Sequence, residues 1–158
     1  MRLEPAAARA AFRSAEVARL ATVGPDGHPH LVPIVFVLAD PDVLYTAVDD
    51  KPKTTTALRR LANIAANPRV CVLADHYEAD WNRLWWVRAD GLGRVHDPGS
   101  AEAGRARALL ADRYHAHNHA PPRGPVIAVR IERWAGWSFG DLSSDSSSGT
   151  AADLKGHH

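Results

Sequence analysis

Lys51, Lys53, Arg59 and Arg60 set four cationic side chains along one short stretch, with Thr54, Thr55 and Thr56 between them. That combination suits an oxyanion. The start of a helix leaves backbone N–H groups unpaired and carries partial positive charge. Threonine hydroxyls add donors, and ammonium or guanidinium groups add full charge. Helical spacing of Leu58, Leu61, Ile64 and Ala65 predicts that one face turns inward while Arg59, Arg60 and Asn63 look elsewhere. Asn67-Pro68 ends the helix, because proline drives the residue before it out of the α region. The chemistry expected is the holding of a phosphorylated cofactor. The plainer reading is a capped surface helix whose cations are merely solvated.

Elsewhere the chain offers no constellation of catalytic groups, so the catalytic residues are not identified. Serines fall mostly near the C-terminus without a nucleophile-elbow pattern, and Gly91-Leu92-Gly93 lacks the later glycine of a dinucleotide fingerprint. His115, His117 and His119 alternate at a helix end before Pro121-Pro122, a spacing that does not gather three imidazoles around one ion; no metal site is expected. His28 and His30 share a strand face and read as a partly exposed pair rather than ligands. Cys71, the only cysteine, sits in an apolar run as a packed thiol, which excludes an internal disulfide. Of the five tryptophans, at 81, 85, 86, 134 and 137, some must be core; five in so small a chain also suggest a flat-ring site or a subunit interface, with packing alone as the plainer reading.

The elements that must position these groups follow from periodicity and turn residues. Pro5 to Ser14 is an alanine-rich helix anchored by Phe12. Val17–Val23 is a strand ended by Gly24-Pro25-Asp26-Gly27, and His30–Leu38 is a nearly continuous apolar strand in which Pro33 marks an edge, a bulge or a gap. Further strands are predicted over Val43–Val48, Val70–Ala74, Leu84–His96 and Val126–Ser138, with a helix from Ser100 to about Tyr114. On the fifth strand, alternation sets Trp85, Val87 and Ala89 against Trp86, Arg88 and Asp90. Six strands joined mostly by short turns, with peripheral helices, indicate a small antiparallel barrel of the mainly β (α+β) class rather than a βαβ sheet.

Composition narrows the function classes. At 158 residues the chain suits one domain, expected over residues 1–141, followed by a Ser-, Asp- and Gly-rich disordered tail over 142–158 whose last residues look like an expression tag. A net charge of +1 argues against a general nucleic-acid binder. No apolar run reaches a membrane span and no signal peptide is recognisable, so a soluble cytoplasmic protein without a membrane partner is expected.

Taken in order, these residues resemble a known family. Ala21 through Pro33 looks like the opening hairpin of the pyridoxamine-phosphate-oxidase-like (PPOX-class) proteins, whose helix often ends in a pattern similar to Ile64-Ala65-Ala66-Asn67-Pro68-Arg69-Val70. Lys51-Pro52-Lys53-Thr54, Asp75-His76-Tyr77, and Trp81 followed by Leu84-Trp85-Trp86-Val87-Arg88 look more specifically like an actinobacterial branch that depends on the deazaflavin coenzyme F420. The resemblance spans roughly residues 3 to 141 and rests on order and spacing rather than on one motif.

It implies a six-stranded FMN-binding-type split β-barrel that forms a homodimer with cofactor sites between subunits. Arg59 and Arg60 then fall where the phosphate-holding basic pair lies, and Lys51, Lys53 and Thr54 add donors for a more anionic coenzyme. Pro33 and Ile34 match the strand beside the tricyclic ring, with Trp86 and Trp137 as candidates for enclosing it. The lysine–threonine insertion before the arginines departs from the FMN pattern. The implied activity is hydride transfer from reduced F420 to an unsaturated or quinone-like small molecule, with water or His76 as proton donor. An FMN oxidoreductase on the same fold and a non-catalytic F420- or haem-binding module are the alternatives.

Overall fold

The structure, a computed structural model, describes residues 1–48, 55–115 and 119–142. Lys51, Lys53, Thr54, His117 and all but the first residue of the expected tail lie outside the described residues. Among the described residues, seven strands form one antiparallel sheet: β1 (Ala18–Val23), β2 (Pro29–Ile34), β3 (Val37–Ala39), β4 (Val43–Ala47), β5 (Arg69–His76), β6 (Trp85–His96) and β7 (Val126–Ser138). Their order is β2-β1-β5-β6-β7-β4-β3. The predicted count of six is corrected to seven because the apolar run after His30 divides. Val35 and Phe36 turn the chain from one end of the sheet to the other, giving β2 and β3 instead of one long strand. Pro33 resolves as an edge position: β2 pairs only with β1, so the missing N–H costs no ladder bond.

The sheet's inner face holds the main core, in which Phe12, Leu20, Phe36, Leu44, Val72, Val87, Ile127 and Val129 are inaccessible to solvent. Helix α1 (Pro5–Ser14) closes one end of it. Its Phe12 meets Phe36 at 4.9 Å and Trp134 edge-on at 5.3 Å between ring centroids. Helix α2 (Thr55–Ala66) lies over the same face through Ile64, which comes within contact of Val70 and the bare backbone of Gly93. Gly91 sits opposite a bulge in β7, where Glu132 is left out of the pairing; a Cβ there would stand 2.3 Å from the Arg130 carbonyl oxygen, so only glycine lets β6 and β7 approach.

Helix α3 (Ala101–Arg113) packs on the outer face instead, its Ala103 and Ala106 against Ala39, Tyr45, Val126 and Ala128. The Ser100 hydroxyl caps it by accepting the Ala103 N–H at 3.2 Å. At its other end Arg113 donates to the carbonyls of Phe36 (2.8 Å), Arg13 (3.0 Å) and Ala15, and its guanidinium lies 4.7 Å over the Phe36 ring. The Tyr114 hydroxyl donates toward Glu16 and Phe36 carbonyls. The end of α3 is thereby tied to the end of α1 and to the β2–β3 corner.

Candidate functional site

Helix α2 carries the basic pair. Arg59 is exposed, whereas Arg60 is half-buried and its Nε is inaccessible with no hydrogen-bond partner. Burial disfavours the Arg60 charge and lowers its pKa, yet a guanidinium stays protonated, so this donor is a desolvated cation awaiting an acceptor. The predicted inward face of α2 needs correcting at two positions. Ala65 is exposed, and Asn63 is buried, donating its amide to the buried Thr22 hydroxyl at 3.1 Å. That bond docks α2 on β1 and fixes where the arginines stand. Leu61 is half-buried and Ile64 buried as expected; the Leu58 side chain lies outside the description.

Beside Arg59 the hairpin of β1 and β2 encloses a pocket of about 420 Å³ lined by Asp26, His28, His30, Arg59 and Asn63. His30 faces Thr22 across the ladder, and its Nδ1 is inaccessible and without a partner. Burial lowers its pKa first, and Arg59, Arg60 and His28 push it further down. The alternation His28-Pro29-His30 next to a turn was the sequence signal for this pair; what it lacked was the approach of α2.

The flat-ring candidates stand elsewhere. Pro33 is exposed on the outer face of the edge strand, opposite Arg19. The Ile34 side chain is buried in the core, so at that position only backbone faces a ligand. Trp86 and Trp137 are direct cross-strand partners on the same outer face, both half-buried, with Phe139 edge-on to Trp137 at 6.3 Å. β2 and β6 are three strand steps apart, roughly 14 Å at about 4.8 Å per step. A ring lying against Pro33 is therefore out of reach of the same chain's Trp86 and Trp137.

A larger cavity, about 790 Å³, opens beside Arg19 and is walled by Asp75, His76, Asp80, Arg83 and Trp85. There the Arg19 guanidinium meets Asp75 at 3.4 Å, and His76 Nε2 is hydrogen-bonded to Glu78. Trp81 projects from a 3-10 turn nearby and is largely exposed, while Trp134 is taken up by the core.

An antiparallel sheet curled around one core, with a basic helix at its rim, places the chain among the flavin-binding-type split barrels. The profile of the pyridoxamine 5'-phosphate oxidase family matches residues 5–138, and the chain belongs to that family. Among solved structures it is similar to an FAD-binding protein from Mesorhizobium loti, at 21% identity, TM-score 0.65, and coverage of 86% of this chain and 95% of that one. It is similar to a conserved hypothetical protein from Mycobacterium tuberculosis at 19% identity and TM-score 0.69, covering 95% and 94%. HutZ, the haem storage protein of Vibrio cholerae, is similar at 19% identity and TM-score 0.64, covering 89% and 98%. At these identities the likeness is one of fold. No match was found among curated proteins.

Proposed function

We propose that this chain is a homodimeric oxidoreductase that binds a flavin-type cofactor, the deazaflavin F420, and reduces an unsaturated or quinone-like small molecule. One observation carries the reading: Arg60 presents a buried, unpartnered guanidinium nitrogen beside Arg59 in a chain of the pyridoxamine 5'-phosphate oxidase family. A guanidinium in that setting recovers its desolvation cost by meeting an oxyanion.

When bound, the reduced cofactor supplies a hydride. The chain supplies the rest. Arg59 and Arg60, with Lys51, Lys53 and Thr54 just before α2 in the sequence, hold the anionic arm by charge-assisted hydrogen bonds. The open edge of β2 at Pro33 and Ile34 offers a flat wall for the ring, and the cavity beside Arg19 receives the substrate next to it. His76, oriented by Glu78, stands at the wall of that cavity and is the proton donor we assign. Trp86 and Trp137 reach a ring at Pro33 only from a second copy, which is why the reading requires a dimer.

Side-by-side calorimetric titration tests this. F420 should bind more tightly than FMN, and replacing Lys53 and Arg60 together by glutamine should weaken F420 on the order of 100-fold at low salt. Tighter FMN binding with a yellow flavin spectrum in the purified protein would move the chain to the flavin enzymes of its family, and unchanged affinity in the double variant would refute the anchor.

A further inference from the structure

The pocket between the β1–β2 hairpin and α2 is larger than one phosphate requires, and its lining is rich in basic side chains. Arg59, His28 and His30 face it against the single carboxylate of Asp26, whose Oδ1 already accepts the His28 backbone N–H at 3.1 Å. Asn63 lines the same pocket; its amide nitrogen is committed to Thr22. Gly24 keeps the floor open: a Cβ there would come to 3.0 Å from Asp26 Oδ1 and 3.6 Å from Asn63 Oδ1. Two polar atoms of the neighbourhood, His30 Nδ1 and Arg60 Nε, are inaccessible and have no partner.

From this geometry we infer that the pocket is a subsite for a second oxyanion, a phosphate or carboxylate carried next to the phosphate held by Arg60, with Arg59 shared between the two and His30 and His28 as its donors. The inference rests on the cofactor reading above and adds to it a discrimination by length and charge. Position along β2 supports the assignment. Pro33, His30 and His28 follow one another from the ring-facing end of the edge strand toward the turn. Three residues of strand, roughly 10 Å, separate Pro33 from His30, and about 7 Å more reaches His28. Pro33 lies on the outer face and His30 on the inner face with Thr22, so a ligand whose ring rests at Pro33 turns over the free edge of β2 to reach α2 and the histidine pocket. A mononucleotide ends before the pocket; a dinucleotide or an acidic-tailed coenzyme enters it.

Protonation belongs to the same event. The groups facing His30 are Asp26 and His28 on the hairpin and Arg59 and Arg60 on α2, three of these four basic. An arriving oxyanion offsets that repulsion, so binding of the longer ligands takes up a proton and strengthens as pH falls, while FMN shows little of this.

The experiment compares FMN, FAD and F420 by calorimetry on the wild-type chain and on His30→Phe and His28→Asn. It adds an NMR titration of the wild-type imidazoles with inorganic pyrophosphate alone. The result expected is at least a tenfold loss for FAD, for F420 or for both in His30→Phe, with FMN changed less than twofold. Loss with FAD alone identifies a second phosphate as the occupant, and loss with F420 alone identifies the acidic tail. Equal loss for all three ligands, or none, overturns the subsite. If no ring cofactor binds the wild type, the cofactor reading falls by itself. Pyrophosphate then decides the subsite: a raised His30 pKa upholds it, an unmoved one overturns it.

Discussion

His30 shows how a single side chain records the character of its surroundings. Its imidazole is squeezed between burial and three cationic neighbours, so the folded chain holds it neutral at a pH where the unfolded chain would protonate it. The sign of the consequence follows from linkage. Between the ordinary value of 6.5 and the lowered one, the unfolded state binds the extra proton, so stability is full above pH 6.5 and declines as pH drops through that window. Denaturant midpoints measured from pH 7.5 down to pH 5 should fall for the wild type and fall less for His30→Phe; identical slopes would mean that His30 is not desolvated. The sequence read His28 and His30 as a partly exposed pair on one strand face, and His28 is exposed and His30 half-buried, but it did not show that the His30 Nδ1 would be inaccessible. Histidine spacing says nothing about which helix will come to lie across it.

Among the elements, strands and helices were legible wherever periodicity and punctuation agreed. Helix α1 and strand β7 fall on their predicted limits, and Ser100 caps α3 as expected. Two features were not legible. The Val35-Phe36 corner lies inside a run of apolar residues with no turn signal, because the bend is stabilised by remote partners: Thr46 Oγ1 donates to the Val35 carbonyl at 2.8 Å, and Arg113 to that of Phe36. Asn63 looked like a surface residue because a polar amide on a helix ordinarily is one; the buried Thr22 hydroxyl gives it a partner inside. Replacing Asn63 by alanine removes that partner and should cost about 1–3 kcal/mol, read as a shift in urea midpoint. The same loss frees α2 to move over β1, so cofactor affinity should fall in step with stability. A stability change below about 0.5 kcal/mol would show that the amide bond does not dock the helix.

For the whole molecule, the homodimer proposed above needs a contact surface, and the outer face of the sheet offers one. Reading across β2, β1, β5, β6 and β7, one register row is Pro33, Arg19, Leu73, Arg88, Ala135 and the next is Leu31, Ala21, Cys71, Asp90, Arg133. Leu31 is 66% exposed, and Leu73, Trp86 and Trp137 are half-buried. The Arg88–Asp90 pair at 2.8 Å sits among them, which leaves the middle of the face nearly neutral. Among the described residues no helix covers these rows; α3 covers only the β4 and β7 end. We therefore propose that the dimer contact lies here. Sedimentation should give twice 17.1 kDa for the wild type. Leu73→Arg, which sets a third cation between Arg19 and Arg88, should sediment as a monomer with unchanged far-ultraviolet dichroism and with weakened cofactor binding. A wild type that stays monomeric at every concentration would remove the partner tryptophans from the site.

The guanidinium of Arg113 touches three carbonyls contributed by two distant parts of the chain, at the end of α1 and at the β2–β3 corner. Such a shared strut makes the edge strand's posture depend on a helix that lies on the far side of the sheet. A lysine in its place spans only part of that distance with one ammonium, so the ring wall at Pro33 would slacken although no residue near it had changed. Variation at the C-terminal end of α3 is thus a route by which this scaffold can retune what it holds along its rim.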